Sequence, residues 1–200
     1  RPDYFDELLE RIRDIRASEK RFYQKVKDLF ALSSDYDSSD KATQMFFAET
    51  QNKLLYAVTG HTAAELIVAR ADATKPNMAL TSWKGTIVRK QDITTAKNYL
   101  NHDEIDTLNR LTVIFLETAE LRAKNREQLN MEFWKENVNR ILEFNDQKIL
   151  AGPGSISNQQ MEEKVKELYE LFNKKRKVFE AQQADLKEIE ELENELKKKK

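Results

Sequence analysis

At residues 60–65 the chain reads Gly-His-Thr-Ala-Ala-Glu, and this punctuation leaves little freedom to the segments on either side. Gly60 follows a helical stripe made by Phe47, Leu54, Leu55 and Val58, which fall at i, i+7, i+8 and i+11 on a helix starting near Asp40. A glycine there can take the left-handed conformation that closes a helix, which the β-branched Thr59 cannot do cheaply. Thr62 with Glu65 three residues on is the spacing at which a hydroxyl and a carboxylate satisfy free backbone N–H groups at a helix start. Helix therefore follows helix with almost no linker. The second runs through Leu66, Ile67, Val68 and Ala69 towards Asp72 and stops before Pro76, whose ring disfavours helical geometry in Lys75.

The same period recurs along the chain. Asp3 to about Leu32 predicts a long helix, with Pro2 before it and Phe5, Leu8, Leu9, Ile12, Ile15, Phe22, Val26, Leu29 and Phe30 at helical spacing. A serine- and aspartate-rich loop from Ser33 to Asp40 ends it. Thr74 to Gln91 holds no clean period and predicts an ordered irregular segment with a short hairpin through Ile87 and Val88. Asp92 is placed to cap a short helix through Leu100. Asn101, with Glu104 three residues later, opens a longer one on which Ile105, Leu108, Leu111, Phe115 and Ala119 face one way. Asn130 caps another that turns Phe133, Trp134, Val138, Ile141 and Leu142 inwards. The plainest break, Ala151-Gly152-Pro153-Gly154, is a turn or a boundary.

Beyond it Ser157 and Gln160 repeat the capping spacing and open a helix that runs to the end. Met161, Val165, Leu168, Phe172, Phe179, Leu186, Ile189 and Leu196 form a stripe at heptad spacing, interrupted by Lys175, Gln182 and Glu193. About forty residues at 1.5 Å each reach roughly 60 Å, longer than a compact domain of this size. The expected fold is all-α: a multi-helix domain over 1–150, then a long amphipathic, coiled-coil-like C-terminal helix over 151–200. That helix must pack on the first helix, project into solvent, or pair with another chain.

Only four Gly and three Pro among 200 residues agree with a helical chain. Lys and Arg (34) nearly balance Asp and Glu (35), so net charge advertises neither a strongly basic nor a strongly acidic partner. The absence of cysteine rules out a disulfide framework and thiolate ligands, and fits a reducing cytoplasm. No apolar run approaches the roughly 18 residues that span a bilayer, so no membrane is expected as a partner. The chain opens at Arg1 without a methionine, which predicts a fragment or a processed product.

Two histidines, His61 and His102, limit the chemistry. No H-E-x-x-H spacing, P-loop, dinucleotide fingerprint or nucleophile elbow occurs, and neither a metal nor a cofactor is expected. His61 is the catalytic candidate: beside Glu65 and upstream of Arg70, with Trp83 folding back, it would act as general base and Arg70 as an anion clamp. The structural reading is the stronger one, because the Thr62 cap puts His61 outside the helix and Glu65 already has a capping role. His102 follows the cap Asn101 and reads as an exposed helix-start residue. Trp83, Lys97 and Asn98 are the candidate ligand-binding residues, the last two forming a phosphate-contacting cluster with Tyr99; a lysine on an exposed helical face equally needs no special role. On the first helix Arg11, Arg13, Arg16, Lys20, Arg21, Lys25 and Lys27 are interleaved with acids at pairing distance, which favours a solvated helix over a nucleic-acid contact.

Five segments carry a resemblance: RPDYFDELLERIRDIRASEKRFYQKV, QNKLLYAVTGHTAAELI, ADATKPNMALTSWKG, DITTAKNYLNHDEIDTLNRL and LEFNDQKIL. Together they resemble the C-terminal part of the bacterial RhuM family, named as virulence proteins, over nearly the whole chain to about Leu150; past Ser155 the likeness fades. In that family such segments follow an N-terminal portion similar to small DNA-binding modules of phage and mobile-element regulators, which is absent here. The resemblance implies no established biochemical activity. Residues and resemblance together predict a protein-interaction or oligomerisation module of a cytoplasmic RhuM-like protein. Self-association or a protein partner would be engaged through the C-terminal helix, and nucleic acid only through the missing N-terminal module. The alternative is an enzyme with its site around His61, Glu65, Arg70 and Trp83.

Overall fold

The computed structural model describes residues 20–37, 41–125 and 129–199. Among the described residues six α-helices run in the order α1 (Lys20–Phe30), α2 (Lys41–Thr59), α3 (Ala63–Arg70), α4 (His102–Lys124), α5 (Met131–Phe144) and α6 (Asn158–Lys198). The part of the predicted first helix before Lys20 lies outside the described residues, as does Asp40. No strand occurs among the described residues, and none of their helices is long and apolar enough to cross a membrane.

α3 is only eight residues long, yet the fold is assembled around it. It is apolar on nearly every side, and a helix of that kind is stable only when covered all round. Leu66 faces a first core built from Val26, Phe30, Phe46, Leu54, Leu108, Leu111, Phe115, Trp134, Val138 and Leu142, which draws on α1, α2, α4 and α5. Ala64 and Ile67 face a second core of Met78, Leu80, Val88, Ile93, Tyr99, Met161 and Val165, supplied by residues 73–100 and the base of α6. One short helix thus divides two cores, and the joints at its ends determine how they sit together.

The caps form as the spacings require. Gly60 has φ +73°. Thr62 and Glu65 exchange the two hydrogen bonds of a capping box, as do Ser157 and Gln160 at the start of α6. Asn101 and Glu104 do the same for α4, and the Asn130 side chain caps α5.

Residues 72–100 depart from expectation twice. The hairpin through Ile87 and Val88 does not form: Val88 is buried in the second core, and its carbonyl oxygen accepts a 2.8 Å hydrogen bond from Arg176 Nη1 on α6. Two apolar residues between Gly85 and Arg89 are too few for paired strands. The short helix from Asp92 also shrinks, to a single 3₁₀ turn at Ala96–Tyr99. Its intended cap looks backwards instead, since the Asp92 carboxylate accepts the N–H groups of Lys84 (3.2 Å) and Arg89 (2.8 Å).

Candidate functional site

Three places merit comparison: the α2–α3 corner, a cavity in residues 82–98, and the far half of α6. At the corner, His61 is half-buried between Gly60 and the cap, and its backbone N–H donates to Thr59 Oγ1 at 3.1 Å. Glu65 is fully engaged. One oxygen accepts the Thr62 N–H at 2.8 Å and the other accepts the Ser155 hydroxyl at 2.7 Å. The Thr62 N–H, followed by the Ser155 hydroxyl, holds this carboxyl down at about 2 from an ordinary 4.5. Gly154, at φ +87°, lies so close that an added Cβ would come within 2.7 Å of Thr62 Cγ2 and 3.1 Å of Glu65 Oε1. The break in the sequence is therefore a turn pressed onto the α3 cap.

This arrangement gives a pH-dependent prediction. A depressed carboxyl pKa stabilises the fold above the unfolded value near 4.5, and that contribution is lost as pH falls through about 2. Glu65→Gln is expected to be less stable than the parent at neutral pH, with the gap closing between pH 4.5 and 2 in urea melts. A gap that stays constant across that window would contradict the assignment.

Arg70 is also committed. Its guanidinium makes a bidentate pair with Glu104 (2.6 and 2.7 Å) and donates to the Tyr99 carbonyl at 2.9 Å. The guanidinium is the chief reason the Glu104 carboxyl sits below its usual range. The pair ties the end of α3 to the first turn of α4, across 34 residues of sequence. Glu65 and Arg70 thus act as joints at opposite ends of α3. His102 is exposed at the start of α4.

Trp83 lies elsewhere, in the wall of a half-open cavity of about 610 Å³ that Lys97 and Asn98 also line, together with Ser82, Lys84, Gln91, Asp92 and Thr95. His61, Glu65 and Arg70 are not part of that lining. The structure thus brings the three candidate ligand residues together and sets the three catalytic candidates apart from them. Sequence reading missed Lys84, Gln91 and the organiser of the wall, Asp92. The Asn98 amide donates to the Asp92 carbonyl (3.0 Å) and accepts the Ser82 hydroxyl (3.1 Å), while Thr81 bonds to the carbonyls of Asn98 and Leu100. Burial pushes the Tyr99 phenol pKa up, and its O–H donates to the Ile93 carbonyl at 2.7 Å. None of these contacts has a periodic signature.

The cavity segment also stores backbone strain. Asn77, Met78 and Ala79 are three consecutive non-glycine residues at positive φ (54°, 56° and 63°). Each such residue costs roughly 1–2 kcal/mol. The turn is retained because Met78 is buried in the second core and the Leu80 N–H closes onto the Asn77 carbonyl.

The third place is α6 itself. Met161 and Val165 are buried, and Leu168, Tyr169 and Phe172 pack on the second core. Arg176, stacked 5.5 Å over Phe172, makes the last anchoring contact through Val88. From Lys177 to Lys199 every residue is exposed. Phe179, Leu186, Ile189 and Leu196 retain 60, 56, 53 and 68% of their surface in solvent.

A model of the family described as "Virulence protein RhuM family" matches residues 1–180, so the likeness extends past Ser155 into α6. No curated protein and no solved structure matches the chain.

Proposed function

The chain belongs to the virulence protein RhuM family, and we propose that it acts there as a self-association module, with two copies joined through the projecting half of α6. The carrying observation is the uncovered heptad stripe from Phe179 to Leu196. An apolar stripe that the rest of the chain leaves in water gains free energy when a partner buries it.

Charge along the helix selects the occupant and its direction. Lys174, Lys175, Arg176 and Lys177 form a basic block, and Glu188, Glu190, Glu191, Glu193 and Glu195 an acidic one. A parallel pair would stack each block on its own copy and place Lys175 and Glu193 against themselves within the seam. An antiparallel pair sets each block beside the other. With Lys175 opposite the second copy's Glu193, Phe179 meets the second copy's Ile189. Gln182 against Leu186 is then the mismatched layer, which costs stability. Where a DNA-binding portion precedes such a segment, pairing would bring two of those portions into one assembly.

Sedimentation from low to high micromolar concentration is expected to show a monomer–dimer equilibrium; a monomer throughout would end this reading. Direction is read separately. Because the chain has no cysteine, Glu195→Cys offers a single spin-label site. In the antiparallel register the two labels lie 22 residues apart, roughly 33 Å along the axis. Labels in close contact would instead mean a parallel pair.

A further inference from the structure

We propose that the cavity beside Trp83 binds a nucleoside phosphate, with its ring against the indole and its phosphate between Lys84 and Lys97. A volume of about 610 Å³ lies within the range of small-molecule sites. Charge points to an anion. Residues 73–100 contain five of the 34 basic residues of the chain (Lys75, Lys84, Arg89, Lys90 and Lys97) but one of its 35 acidic residues, Asp92. The rest of the chain, 29 basic against 34 acidic, has the opposite sign.

Asp92 lowers this local excess by one charge, but its oxygens accept the backbone N–H groups of Lys84 and Arg89 and it forms no ion pair with either cavity lysine. Among the described residues Lys84 and Lys97, both in the cavity lining, make no ion pair with an acidic side chain. Two unpaired cations suit a phosphate. Trp83 is half-buried beside them, and an indole face offers a planar ring a stacking surface. Gln91 adds an uncommitted amide for polar ring atoms. The wall is held in place before any ligand arrives by the hydrogen bonds among Ser82, Asp92 and Asn98. The nucleotide can be free or can be the end of a single strand, since both present the same ring and phosphate.

The test is tryptophan fluorescence with calorimetry on the intact chain. Trp134 is fully buried and gives a constant background, so a change reports Trp83. The probes are AMP, GMP, CMP and UMP, inorganic phosphate, adenosine, and a hexathymidylate. At least one mononucleotide is expected to quench saturably, more tightly than phosphate or adenosine alone. Lys84→Glu and Lys97→Glu should each weaken it by at least roughly tenfold. Trp83→Leu should abolish binding by calorimetry. Tighter binding of the hexathymidylate would assign the site to a strand end, and equal or weaker binding to the free nucleotide. The proposal is overturned if no nucleotide or oligonucleotide binds, if phosphate alone binds as tightly as the tightest mononucleotide, or if Lys84→Glu, on the exposed rim and with unchanged circular dichroism, leaves affinity intact.

Discussion

Leu186→Asp combined with Ile189→Asp is expected to turn a self-associating chain into a monomer while leaving its circular dichroism nearly unchanged. Both side chains face solvent in the single chain, at 56 and 53% exposure. In the monomer the substitutions therefore cost only the helix-propensity difference, under about 0.7 kcal/mol each. In a pair each position is buried twice. Fully covering a Leu or Ile is worth about 1.5–3 kcal/mol, and roughly half of that surface is still open here, so the four side chains contribute about 3–6 kcal/mol to association. The dissociation constant should rise by roughly 10²–10⁴-fold, before counting acid added to an already acidic stretch. Sedimentation of parent and variant side by side measures it. An unchanged profile would remove α6 as the contact, and loss of helicity would show that the far half of α6 does structural work inside the monomer.

The elements legible in sequence are those whose hydrogen bonds close locally. Thr62 with Glu65, Asn101 with Glu104, Ser157 with Gln160 and the Asn130 cap each satisfy backbone groups within three residues, so spacing alone reveals them. The apolar stripes of α4, α5 and the base of α6 are legible for the same reason. In α2 the reading is less sharp: Phe46 is buried in the first core and Phe47 only packs at its edge, because a stripe counted by period does not say which of two adjacent rings the neighbouring helices leave room for. Residues 72–100 are legible only as an ordered irregular segment, without their internal arrangement. Their order depends on Asp92 reaching back to Lys84 and Arg89, on Thr81 bonding to Asn98 and Leu100, and on Arg176 reaching Val88 across 88 residues. Residue types predicted that Trp83, Lys97 and Asn98 suit a ligand, but only these distant bonds put them around one cavity. The same limit applies to His61. Its position at a corner is visible in sequence, whereas the commitments of Glu65 to Ser155 and of Arg70 to Glu104 arise from partners 90 and 34 residues away.

The first core has its own keystone, and its removal should be the largest single loss of stability in the molecule. Trp134 on α5 is fully buried. Its indole N–H donates to Ser33 Oγ at 2.8 Å, and its ring lies 6.1 Å from Phe30 and 5.2 Å edge-on from Phe133. Phe30 in turn contacts Phe46 at 4.8 Å, so one aromatic cluster joins α1, α2 and α5. The loop after α1 is pinned at the same point, where Ser34 donates to the Leu129 carbonyl and Asp35 accepts the Met131 N–H. Trp134→Ala deletes the ring and leaves a cavity, which typically costs about 3–5 kcal/mol. It also leaves the Ser33 hydroxyl, itself buried, without its partner. Against a total of about 5–15 kcal/mol for a domain, the variant should be largely unfolded or melt roughly 6–20 °C lower. Trp134→Phe separates the contributions, since it keeps most of the packing and loses the hydrogen bond, and it should fall between parent and alanine. Thermal melts followed at 222 nm give both values. A loss under about 1 kcal/mol for Trp134→Ala would mean that α1 and its loop do not depend on this core, because a buried ring with these neighbours is not otherwise cheap to remove.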